Sequence, residues 1–179
     1  VKRLVLLLAA ASGPALAGGL SATAIGTAQA DIVAPLVARR EADLDFGAIF
    51  ATSAPGTVML GADGAAAYTG GAHSACAPGA CGSLHPAAFA VSGEGGRAYF
   101  VTLPSAVTAT GTTPEGTAAP PLDVAALSVR TASRPSAGPA GQLDETGRDR
   151  FEVGGTLRVP AGVPAANYRA TITVMVTYG

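Results

Sequence analysis

From Phe151 to Val159 the odd positions Phe151, Val153, Gly155, Leu157 and Val159 are apolar or glycine, with Glu152, Gly154, Thr156 and Arg158 between them. After a Pro/Gly/Asn turn the alternation returns: Tyr168, Ala170, Ile172, Val174, Val176 and Tyr178 are separated by Arg169, Thr171, Thr173, Met175 and Thr177. Period-two alternation predicts two strands, each with one face buried and one in water. They read as a closing hairpin whose last strand forms an edge. Such an edge must stay open, be covered, or pair with another chain.

Upstream the signals are shorter. Asp43-Leu44-Asp45-Phe46-Gly47 alternates and predicts a strand. Thr57–Leu60 predicts another, with Val58 and Leu60 inward, and Asp63-Gly64 is a strong hairpin-turn signal. Residues 65–86 read as a long Ala/Gly/Pro/His/Cys loop holding at most a short strand near Ala67–Thr69. Ala87–Ser92 and Arg97–Leu103, joined by Gly93-Glu94-Gly95-Gly96, predict a hairpin that turns Phe89 and Val91 toward Tyr99, Val101 and Leu103. Residues 104–121 read as loop, Leu122–Arg130 as a strand of irregular period with a bulge, and Ser133–Arg150 as a polar connection. Seven or eight strands with no amphipathic helix in the body predict an antiparallel β-sandwich.

The first thirty residues read as an export signal rather than as structure. Lys2 and Arg3 precede an apolar run, Leu4–Ala11, too short to span a bilayer, and Ala28-Gln29-Ala30 fits a cleavage site before Asp31. The expected division is therefore a signal peptide over 1–30 and a single domain over 31–179, exported through the periplasm to the cell surface or medium. No membrane insertion is expected after cleavage. Residues 31–179 carry nine Arg, no Lys and twelve acidic residues, so 9 − 12 = −3. That balance disfavours nucleic acid as a partner. The absence of lysine after Lys2 excludes Lys–Asn isopeptide cross-links.

Candidate chemistry is sparse. Both cysteines and both histidines fall in one segment as His73, Cys76, Cys81 and His85. Thiolate and imidazole at this spacing could close a tetrahedral metal site. In an oxidising compartment a Cys76–Cys81 disulfide is favoured instead, contributing roughly 2 kcal/mol by closing a short loop. No Gly-x-Ser-x-Gly elbow is present, and the carboxylates lack an aromatic platform for sugar stacking. Neither an enzyme nor a cofactor is expected. Asp144–Asp149 reads as a solvated turn, and Gly154-Gly155 marks a bulge or the close approach of another backbone.

Asp43–Gly47, Phe89–Gly93 with Tyr99–Pro104, Phe151–Leu157 and Tyr168–Tyr178 occur in an order that resembles an exported bacterial family of the DUF4402 type, a domain of unknown function. That family is in turn similar to spore coat protein U and the archaic chaperone–usher pilins. The resemblance implies an immunoglobulin-like sandwich completed by strand addition, first from a periplasmic chaperone and usher pathway, then from another pilin-like subunit. Asp31–Ala38 is the implied strand-exchange segment, with Ile32, Ala34, Leu36 and Ala38 facing the groove, although Pro35 has no N–H to donate. The same segment could equally be the domain's own first strand. The expected function is a pilin-like structural subunit of a surface appendage or coat. The alternative is a self-contained secreted binding module.

Overall fold

The computed structural model describes residues 23–76 and 84–179. The chain divides into two compact units, Val1–Ile32 and Val33–Gly179. In the first, only residues 23–32 are described, and they contain no helix or strand. The basic and apolar stretches of the expected export signal lie outside the described residues. The second unit is all-β and antiparallel, with eleven strands among the described residues. Among the described residues no helix is long and apolar enough to cross a membrane.

The segment with the strictest alternation became the centre of the larger sheet. Strand β9 (Arg148–Val159) pairs along one side with β7 (Ala118–Thr131). Its other side is shared. The first half of β9 meets β4 (Ala87–Ser92), and the second half meets β2 (Ile49–Leu60). Beyond these lie β1 (Val37–Ala42) on β4 and β3 (Ala66–Ser74) on β2. On the β7 side the order continues to β6 (Ala106–Thr112) and β10 (Asn167–Arg169). A smaller sheet is ordered β11 (Met175–Tyr178), β5 (Ala98–Thr102), β8 (Ala140–Gln142).

Register shifts in β1, β2, β6 and β7 let the large sheet curl, since a bulge bends its strand and sharpens the twist. The curl encloses one apolar cluster, including Val58, Leu122, Val124, Leu157 and Val159. A second cluster joins the two sheets, with Val91, Phe151 and Val153 from the large one against Tyr99, Val101 and Leu143. Leu44 and Leu127 pack on both. A curled sheet carrying a smaller sheet across one part is a β-sandwich-like arrangement.

Several local expectations need correction. The predicted hairpin of Ala87–Ser92 with Arg97–Leu103 does not form, because β4 and β5 belong to different sheets. The turn is an arch between layers. Phe89, Val91, Tyr99 and Val101 do share a core, but they face one another across it. The closing hairpin is likewise absent: β9 pairs with β2, β4 and β7, never with β10. Residues 65–86 and 104–121 hold β3, β6 and the start of β7, so strands exceed the seven or eight expected. In place of the Asp43–Gly47 strand there is one isolated bridge, Asp45 to His85.

Candidate functional site

The final apolar alternation folds as one extended run that changes sheets. β10 pairs with β6 at the edge of the large sheet, and β11 pairs with β5 at the edge of the small one. Between them, Ala170–Val174 makes no backbone hydrogen bond among the described residues. The side chains keep the predicted alternation. Tyr168, Ile172, Val174, Val176 and Tyr178 are half-buried, whereas Ala170 is exposed. None of the six reaches full burial, in contrast to Phe151, Val153, Leu157 and Val159 on β9. This is an edge with unpaired peptide groups and an incompletely covered apolar row, the two ingredients of strand addition.

Each end of the run is anchored by an aromatic ring. Tyr168 lies directly opposite Gly111, and a Cβ at that glycine would stand 2.7 Å from the ring's Cδ1. The ring covers the glycine's bare backbone, as aromatic residues do for strand glycines. Its buried hydroxyl has no hydrogen-bond partner among the described residues, and desolvation raises its pKa. At the other end the Tyr178 hydroxyl accepts from the Glu94 N–H at 2.7 Å and donates to the Ala34 carbonyl at 2.7 Å. The Arg97 guanidinium sits 5.1 Å above the same ring.

Tyr178 thereby ties down the segment expected to exchange. Ala38 lies in β1, opposite Val91, and Leu36 packs on the inter-sheet cluster. Ala34 is held through its carbonyl, and Ile32 is exposed. β1 is an edge strand with a single neighbour, and five of its six residues are exposed.

Of the cysteine–histidine segment, His73 lies in β3 opposite Phe50, whereas His85 bridges Asp45 and approaches the Pro86 carbonyl through Nδ1 at 3.1 Å. Cys76 is near the Ser74 hydroxyl, which accepts its N–H at 3.3 Å. Cys81, and with it both the expected pairing and the four-residue metal set, lies outside the described residues. Among the described residues no group of three or more His, Cys, Asp or Glu gathers around one point.

Two polar arrangements carried little signal in the sequence. Asp149 accepts from the Tyr99 hydroxyl at 2.8 Å and from Ser133. Burial of Tyr99, helped by the acceptor and charge of Asp149, pushes that phenol well above its ordinary range. Asp144 Oδ1 accepts from the Thr146 hydroxyl and from the Thr146 and Arg148 N–H groups, which lower its pKa. This is the solvated turn predicted for Asp144–Asp149, except that Arg148 and Asp149 already belong to β9 and Asp149 is half-buried.

Fold and edge together define an all-β, antiparallel, sandwich-like domain whose extended run from β10 to β11 is divided between two sheets. Residues 36–178 match the family model described as domain of unknown function DUF4402, and the chain belongs to that family. Comparison with curated proteins and with solved structures finds no match.

Proposed function

We propose that this chain is an exported, pilin-like structural subunit that assembles at the cell surface by strand addition. The observation that carries the reading is the unpaired backbone of Ala170–Val174 beneath the half-covered row Ile172, Val174, Val176 and Tyr178. An incoming strand with alternating apolar residues would satisfy those peptide groups and complete that row. In the proposed assembly it comes from the Asp31–Ala38 segment of another subunit, or from a periplasmic chaperone in transit. A resemblance of the family to spore coat protein U and archaic chaperone–usher pilins, carried by the sequence motifs alone, belongs to the same reading. A Cys76–Cys81 disulfide and a removed signal peptide belong to it, as expected in an oxidising compartment. No catalytic step is involved.

A second reading has a specific observation behind it. β1 already pairs with β4, and Tyr178 already holds Ala34, which favours a self-contained surface module. The two separate on a denaturing gel of material sheared from producing cells, loaded unheated and boiled. A ladder that collapses to monomer only on boiling supports strand exchange. A single monomer band in both lanes, with the protein present, rejects it in favour of the self-contained module.

A further inference from the structure

The stretch leading into β1 and the strand β11 meet at one side chain. Among the described residues, 33–36 make no backbone–backbone hydrogen bond, and β1 begins only at Val37. Leu36 and Ala34 tie that stretch to the body. The Leu36 side chain packs on the inter-sheet cluster, where Val174, Val176 and Tyr178 also pack. The Ala34 carbonyl accepts from the Tyr178 hydroxyl at 2.7 Å, and the same hydroxyl accepts from the Glu94 N–H at 2.7 Å. With its donor and an acceptor site both engaged, the phenol bridges residue 34 to the turn between β4 and β5.

Gly93 is the seat of this bridge. A Cβ there would collide with the Tyr178 hydroxyl and stand 3.0 Å from Leu36 Cδ1 and 3.1 Å from Leu143 Cδ1. Gly93 has no positive φ, so what it supplies is space rather than backbone freedom. The pairing of β11 with β5 puts Tyr178 opposite Tyr99, and the Arg97 guanidinium lies 5.1 Å from the Tyr178 ring centroid. The tie is nonetheless slender: Ala34 is exposed and Leu36 only half-buried, the character of a segment that opens locally without unfolding the rest.

We propose that Tyr178 is an autoinhibitory latch: docked over Gly93, it holds residues 33–38 on their own body and withholds them from a neighbouring copy of the chain. The consequence for assembly rests on the strand-addition reading, whereas the latch itself does not. A segment that pairs in trans only from its open state does so with an affinity reduced by the open fraction. Unlatching therefore raises both the exposure of the segment and its exchange.

Trypsin tests the latch, because Arg39 and Arg40 follow the segment in β1 and become good cleavage sites when that strand peels from β4. Where opening and closing outpace cleavage, the clipping rate tracks the open population. In the full chain, Tyr178→Phe keeps the ring and removes both hydrogen bonds, and is expected to speed clipping at Arg39 and Arg40 about five- to tenfold while leaving the remaining body intact. Gly93→Ala, which displaces the hydroxyl and Leu36 together, speeds it as well. Tyr168→Phe removes a tyrosine hydroxyl at the other end of the same run and leaves clipping unchanged. Parent-like clipping in Tyr178→Phe, or clipping that appears only together with cuts at Arg130 and Arg158 in β7 and β9, overturns the latch. The unheated gel of sheared material then tests the consequence. A stronger ladder in Tyr178→Phe than in the parent supports autoinhibition, and a ladder no stronger than the parent's overturns it. Faster clipping with no ladder in either protein upholds the latch and rejects strand exchange, so the two readings fail separately.

Discussion

Gly154 and Gly155 are consecutive residues of one strand, and the structure separates the consequences of giving each a methyl group. A Cβ on Gly154 would stand 2.5 Å from the Gly61 carbonyl carbon, with the Leu60 oxygen and Ala62 nitrogen closer still. All three are backbone atoms where β2 runs past β9, at the point where β9 changes partner from β4 to β2. They move only if the ladder Leu60–Gly155 moves. A Cβ on Gly155 would meet Leu127 Cδ2 at 2.9 Å and Val124 Cγ1 at 3.3 Å. Those are side-chain methyl groups that yield by small rotations. Overpacking a tight interior costs typically 1–3 kcal/mol and more where backbone must shift. Gly154→Ala is therefore expected to cost about 3 kcal/mol or more and Gly155→Ala about 1 kcal/mol. In urea melts of the two variants the midpoint falls for both, with Gly154→Ala much the lower and the slope unchanged. In thermal melts the larger cost corresponds to a drop of about 6–12 °C for a domain of this size. Equal midpoints, or a more stable Gly154→Ala protein, would refute the close approach.

Ala126 has φ +50° at the β7 bulge, where a side chain costs roughly 1–2 kcal/mol and glycine does not. Ala126→Gly is expected to stabilise the fold by a net ~0.5–1 kcal/mol after the entropy cost of glycine, seen as a higher urea midpoint. Tyr168→Phe removes a buried hydroxyl that lacks a partner, so its melt should be unchanged or higher by up to about 1 kcal/mol. Tyr168→Ala, which uncovers Gly111, should lose about 2 kcal/mol in the same melt. Tyr99 has a raised pKa in the folded state, so its contribution is complete below the ordinary phenol pKa. It is lost as the unfolded chain's tyrosine ionises, and stability should fall above about pH 10. Ultraviolet titration of the parent against Tyr99→Phe should show that Tyr99 ionises only on unfolding, and its ionisation at about pH 10 in the folded state would contradict this.

The legible parts of the sequence were those with strong contrast between neighbours. On β9, the apolar members Phe151, Val153, Leu157 and Val159 alternate with polar residues, and they proved to be its inner face. The Asp63-Gly64 turn is closed by Gly61 and Ala65, as a tight hairpin requires. β3 and β6 are rich in Ala, Gly and Thr and lack that contrast, so the pattern predicts loop for β6 and only the short strand near Ala67–Thr69 for β3. Their strand character comes from pairing with β2 and β7. The arch between β4 and β5 was missed for another reason. Gly93–Gly96 specifies a reversal of the chain, and the return strand's choice of sheet depends on packing such as Val91 against Tyr99. The edge at Tyr168–Tyr178 was foreseeable from alternation alone, although its division between two sheets was not. The latch was invisible, because Ala34, Gly93 and Tyr178 become neighbours only through the pairing of β1 with β4 and of β11 with β5.

The bond between Tyr178 and the Ala34 carbonyl spans 144 residues of chain. Most pairings that hold the body together are also distant in sequence, such as β4 with β9 and β2 with β9. Loop closure must precede each of them, which places folding among slow, high-contact-order reactions. β11 supplies one side of the small sheet, so that edge of β5 stays open until residues 175–178 have docked. A polypeptide delivered from its N-terminal end spends that interval with apolar strands uncovered, a window in which aggregation competes with folding. The rate at which residues 167–178 dock therefore sets how long the nascent protein needs protection.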